Sequence, residues 1–219
     1  IPAAAVQDAA SFLIDERPDP SAAYRRARGR KPPASVALQL GEIVVHRNRA
    51  LFSSDVRVDA LVVTGGDKVE GPYPARTVKF EHIKDGDRLP LDNLRVYYGP
   101  ANGFLDLAVW VSRDTERSLD LVDLLKEQLN STEFKDAALV LAGLAVAAPT
   151  AGAVIAGLGA ATTVVNIAYK LLSEAAGKTI GLYRTSLLAN ERFGVGRHPA
   201  RGTMRAQDFS FWYQVTEVG

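Results

Sequence analysis

Residues 137–169, AALVLAGLAVAAPTAGAVIAGLGAATTVVNIAY, run for 33 positions without one formal charge. A stretch this apolar has to be covered by its own chain, by a partner or by lipid. Pro149 divides it. Proline is best tolerated as the first residue of a helix, so two helices, about 133–147 and 149–176, are expected to meet there as a hairpin or a kink, with Gly177 as the C-cap.

Length separates the three covers only in part. A hydrocarbon core of about 30 Å takes about 20 helical residues. The uncharged part of the first helix, 137–148, has 12 residues, roughly 18 Å at 1.5 Å per residue, whereas the second, 149–169, has 21 and is long enough to span. Two full spans are therefore not expected, which leaves a re-entrant hairpin, one span or no membrane contact. Much of the stretch is Ala, Gly and Thr, whose burial yields less transfer free energy than that of Leu or Phe. The small residues also form rows. Gly152, Ala156 and Ala160 recur at i, i+4 and i+8, beside Ala153 and Gly157, and such rows let another helix approach closely in water as in lipid. Gly152, Ala156, Gly157 and Ala160 are thus the candidate hairpin interface.

Around this stretch the pattern has period two. IVVHRNR (43–49), DVRVDALVV (55–63), TVKFEHI (77–83), RVYY (95–98) and FLDLAVWVS (104–112) read as strands, and TIGLYRTSLL (179–188) and AQDFSFWYQVTEV (206–218) resume the pattern after the helices. In the second segment Val56, Val58, Ala60 and Val62 oppose Arg57 and Asp59, as in a half-buried strand. Gly- and Pro-containing turns separate the early strands with no helix between them, which predicts antiparallel pairing. Residues 118–129 place Leu121, Val122, Leu125 and Leu129 on one stripe, and Asn130 with Glu133 reads as a capping box for the next helix.

The expected fold is therefore mainly β in the α+β class. It is an antiparallel β-sandwich, residues 36–219, with an apolar helical hairpin inserted at 118–177, and a C2-like eight-stranded sandwich is one concrete version. Residues 1–35 read as a short helix at 3–14 followed by a Pro- and Arg-rich arm or linker, with four prolines in 17–35 and five basic residues in 25–31. The chain opens on Ile1 rather than Met, so the native start is expected upstream, and a cytoplasmic location is favoured.

Chemistry is sparse. The sequence has no cysteine, which excludes a thiol nucleophile and a cysteine metal cage. Ala176-Gly177-Lys178-Thr179 imitates the end of a phosphate-binding loop, but Leu172 stands where its first glycine belongs. Gly157-Leu158-Gly159 lies inside a helical run, not after a strand. His46, His82 and His198 lack metal-binding spacing, and no GxSxG elbow occurs. Asp85-Gly86-Asp87, Asp92 and Asp114 are the loop acids that a calcium site would use, yet the first three residues read more simply as a turn, and no metal ligands are assigned.

With 26 Lys+Arg against 25 Asp+Glu, the net charge of +1 argues against a surface devoted to nucleic acid. Arg184, Arg192, Arg197, Arg201 and Arg205 cluster in one segment and are the candidate anion- or partner-binding residues, unless nearby acids such as Asp120, Asp123 or Asp208 pair with them. The reading that follows is a non-enzymatic interaction module that binds a protein partner or self-associates through the hairpin, with no cofactor and no nucleic acid. The alternatives are a membrane-active effector whose hairpin docks on anionic lipid, and a hydrolase with a dispersed site around His198.

Overall fold

The structure is a computed structural model that describes residues 13–15, 32–65, 73–115, 118–144 and 150–218. The alternating, β-branched segments become the longer strands, except that the one expected at 43–49 lies at Ser35–Val45, and four short strands join them without a pattern of their own: β1 (Leu13–Asp15), β2 (Ser35–Val45), β3 (Ser54–Gly65), β4 (Ala75–Ile83), β5 (Arg88–Leu89), β6 (Leu94–Pro100), β7 (Asn102–Arg113), β8 (Thr179–Leu188), β9 (Gly196–His198), β10 (Met204–Ala206) and β11 (Phe209–Val218). Between β7 and β8 come α1 (Leu121–Gln128), α2 (Thr132–Gly143) and α3 (Ala151–Ala175).

Two sheets result. The first has the order β1-β8-β7-β3-β4 and is antiparallel except for β1, which runs parallel to β8. The second runs β10-β11-β2-β5, with β6 also on β2 and β9 on β11. This is the antiparallel sandwich with a helical insertion that the β, α, β order implies. The described residues carry eleven strands, five in one sheet and six in the other, which does not single out the eight-stranded C2-like version.

Strand periodicity distributes the core into two layers. Val56, Val58, Ala60 and Val62 of β3 and Leu105, Leu107, Val109 and Val111 of β7 face the second sheet, where Leu38, Leu40, Phe209, Phe211 and Val215 meet them. Leu61 and Val63 of β3, with Phe104, Ala108 and Trp110 of β7, face the helices instead, against Leu125, Phe134, Val154, Val165 and Leu172. The first sheet is therefore a middle layer buried on both sides.

Several local expectations change. Leu13–Asp15 is strand, because β8 offers an open edge for pairing, and the rest of the expected helix at 3–14 lies outside the described residues. The arm at 17–31 lies outside them too, as does Pro149. The cap of α2 is Ser131, whose hydroxyl accepts from the Phe134 amide at 3.3 Å, one position after the expected Asn130. The buried stripe of α1 is Leu121, Leu124 and Leu125, with Val122 only half-buried. Ala176, not Gly177, is the C-cap of α3. Gly177 instead passes close to β7: its amide donates to the Arg113 carbonyl at 2.8 Å, and a Cβ there would lie 3.0 Å from Arg113 Cβ.

Candidate functional site

The layer between the first sheet and the helices holds two buried ion pairs. Arg57 and Asp59, expected on the wet face of a half-buried strand, are both fully buried because the helices cover that face. Arg57 donates through Nε and Nη2 to the two Asp59 oxygens, both at 2.7 Å, and through Nη1 to the Leu119 carbonyl at 3.0 Å. The Thr77 hydroxyl adds a 2.6 Å bond to Asp59 Oδ1. Burial pushes the Asp59 carboxyl above its ordinary range, against the pull of Arg57 and Thr77. Burial also opposes the Arg57 charge, but the Asp59 hydrogen bond and the charges of Asp59, Asp114 and Asp120 outweigh it and hold the guanidinium above its usual value.

The second pair joins neighbouring strands. Arg184 Nε and Nη2 donate to Asp106 Oδ1 and Oδ2 at 2.8 and 2.9 Å, Nη2 also reaches Thr162 Oγ1 of α3 at 3.0 Å, and Ser186 donates to Asp106 Oδ2 at 2.8 Å. The carboxylates and most of the guanidinium nitrogens of both networks bond inside the protein, so these networks orient the helices on the sheet and hold no proton acceptor toward solvent.

The five arginines singled out in sequence do not converge. Arg184 is 2% exposed and its charge is used on Asp106, which sequence proximity did not suggest. Arg192 pairs with Glu217 at 2.6 Å. Arg197 donates to the carbonyls of Pro199 and Gly202, both at 2.6 Å, and stacks 4.5 Å over the Trp212 ring. Arg205 reaches the Gln207 carbonyl at 2.9 Å, and Arg201 lies exposed in the following turn. Asp208, one of the proposed partners, is taken by Arg49 at 2.7 Å.

The small-residue rows of α3 divide between two faces. Gly157 and Ala160 point inward: a Cβ at Gly157 would collide with Leu144 Cδ1 and come within 2.8 Å of Phe104 Cε1. Gly152 and Ala156 are exposed, together with Gly159. Three bulky apolar side chains that the small-residue pattern does not reveal are exposed as well: Leu139 and Val140 of α2, 62% and 42% exposed, and Ile155 of α3, 49% exposed. No formal charge falls between Ala137 and Tyr169, so the exposed residues of α2 and α3 within that range are all uncharged.

The histidines and loop acids gather into nothing comparable. His198 stacks on Tyr213 with ring centroids 4.8 Å apart and its Nε2 contacts the Gly194 carbonyl, while His82 is exposed. Asp85 and Asp87 accept from the backbone amides of Asn48 and Lys84, as turn carboxylates do. Among the described residues no group of three or more metal-ligating side chains converges. The chain matches no family model, no curated protein and no solved structure.

Proposed function

We propose that the protein is an interaction module that self-associates through the outer face of its helical layer, Gly152, Ile155, Ala156 and Gly159 of α3 with Leu139 and Val140 of α2. The observation that carries this reading is the one-sided burial of α3: only 39% of its most apolar 18-residue window is buried, and the remainder bears no charge before Lys170. A second copy is the favoured occupant because the exposed residues of α3 are small, which suits close helix approach about a two-fold axis better than it suits lipid.

Sedimentation equilibrium of the parent and of Ile155→Glu tests it. Concentration-dependent association is expected in the parent and absent from the variant, with both folded, since Ile155 touches solvent. A parent that stays monomeric throughout overturns self-association. A second reading, lipid docking by the same face, rests on the length and apolar composition of the 25-residue α3. It is favoured if the monomeric parent co-sediments with phosphatidylcholine and phosphatidylserine vesicles and Ile155→Glu does not.

A further inference from the structure

On the open side of the sandwich, β4 ends the first sheet and β6 lies outermost on β2 in the second. A cleft of about 300 Å³ opens between them, with Tyr73, Val96 and Tyr97 in its floor and Arg76, Arg95 and Tyr98 on its rim. The floor is built and held. Tyr73 packs edge-on against Phe134 of α2 with centroids 5.4 Å apart, and the Tyr97 hydroxyl donates to the Pro100 carbonyl.

The rim is unusual for its cations. Arg76 pairs in register with Ala60, whose side chain faces the interior of the sandwich, so strand parity directs Arg76 toward the gap between the sheets. The guanidinium carbon of Arg95 lies 5.6 Å from the Tyr98 centroid, and Tyr98 is 61% exposed. Among the described residues neither guanidinium has a hydrogen-bond or ion-pair partner and no carboxylate lines the cleft. The next cation of β4, Lys79, is already bonded to the Ser118 carbonyl at 2.7 Å, so no basic track continues the site along the strand.

We propose that this cleft binds a small aromatic anion, a flat ring carrying a phosphate or carboxylate group. Unpaired guanidiniums suit such oxyanions through paired donors. Tyrosine faces suit the ring, and the volume stands at the lower end of ligand pockets, enough for one ring and its anion but not for a polymer.

Calorimetric titration with phenyl phosphate, benzoate, phenol and inorganic phosphate tests this, with the Arg76→Gln/Arg95→Gln variant alongside. Saturable one-to-one binding of phenyl phosphate or benzoate is expected, with phenol and inorganic phosphate each weaker. Binding in the double variant is expected to fall by about tenfold or more, the worth of one charge-assisted hydrogen bond, with the melting temperature unchanged. Preference between phenyl phosphate and benzoate tells which anion the guanidiniums favour. Absence of saturable binding of either in the millimolar range overturns the proposal, as does undiminished binding in the double variant. Arg76 has a competing role, the guarding of an open strand edge; self-association of Arg76→Gln with ligand affinity unaltered would assign it that role and overturn its part in a site.

Discussion

The two sides of the central sheet are buried by different means. Toward the second sheet, β3 and β7 present mainly Val, Ala and Leu, and what meets them is mainly Val, Leu, Ile, Phe and Tyr. Toward the helices, the same strands present Arg57, Asp59 and Asp106 among the apolar residues, β8 adds Arg184 and Ser186, and the buried Trp110 Nε1 finds no hydrogen-bond partner among the described residues. The first interface gains from apolar burial without desolvating any charge. The second has to offset the desolvation of two ion pairs by bidentate geometry and added hydroxyl donors, a trade that leaves little net stability but penalises any other seating of the helices. Apolar adhesion thus serves both interfaces, and the helical layer adds registration by its buried ion pairs.

The sharpest way to break this contrast is to orphan one buried charge. Asp106→Ala is expected to cost about 3–5 kcal/mol in urea unfolding, because it strands the Arg184 guanidinium under α3. The double replacement Arg184→Met/Asp106→Leu is expected to regain most of that loss, since it makes this part of the helical interface apolar like the other. A double variant as unstable as Asp106→Ala would mean that the pair contributes stability and not only register.

Close packing supplies a second comparison. Gly181 faces the second sheet, where a Cβ would lie 2.5 Å from the Ala206 carbonyl oxygen and 2.6 Å from Phe209 Cδ1. Gly157 faces Leu144 and Phe104, whose side chains can turn aside. Gly181→Ala is expected to cost roughly 2–3 kcal/mol and Gly157→Ala about 1 kcal/mol, read from denaturation midpoints. Equal costs would show the helical interface to be as unyielding as the sandwich.

Ser131→Ala removes the α2 cap and is expected to cost about 0.5–1 kcal/mol, the bond being a long one. If the helical layer and the sandwich unfold together, tyrosine fluorescence and far-ultraviolet circular dichroism shift by the same amount. Separate midpoints would mean that the layers part before the sandwich melts. The smallest effect on stability belongs to Ile155→Glu, within about 0.5 kcal/mol, although the same variant is expected to abolish association.

How far the sequence could be read follows from the range of the interactions involved. The period-two segments and the apolar helices were legible because side-chain alternation and helical spacing are properties of a few neighbouring residues. The alternation of β11 is a clear instance, with Phe209, Phe211, Tyr213 and Val215 all buried as the pattern implies. Element ends were less legible, since the cap at Ser131 and the close pass of Gly177 depend on single contacts. The partners of the clustered arginines were not legible, because proximity along the chain says little about where a guanidinium finds its carboxylate.

By itself, then, the sequence determined the β, α, β succession of the longer elements, the sandwich class and the existence of an uncharged helical pair that something has to cover. Tertiary structure alone decided that the helices lie on the outer face of one sheet, because the residues that seat them are distant in the chain: Arg184 and Asp106 are 78 positions apart. The same holds for the cleft, whose Arg76 and Arg95 come from different sheets. A charge on a strand reads as a solvated face until a second layer removes the solvent, and only long-range packing tells which charges it covers and which it leaves free.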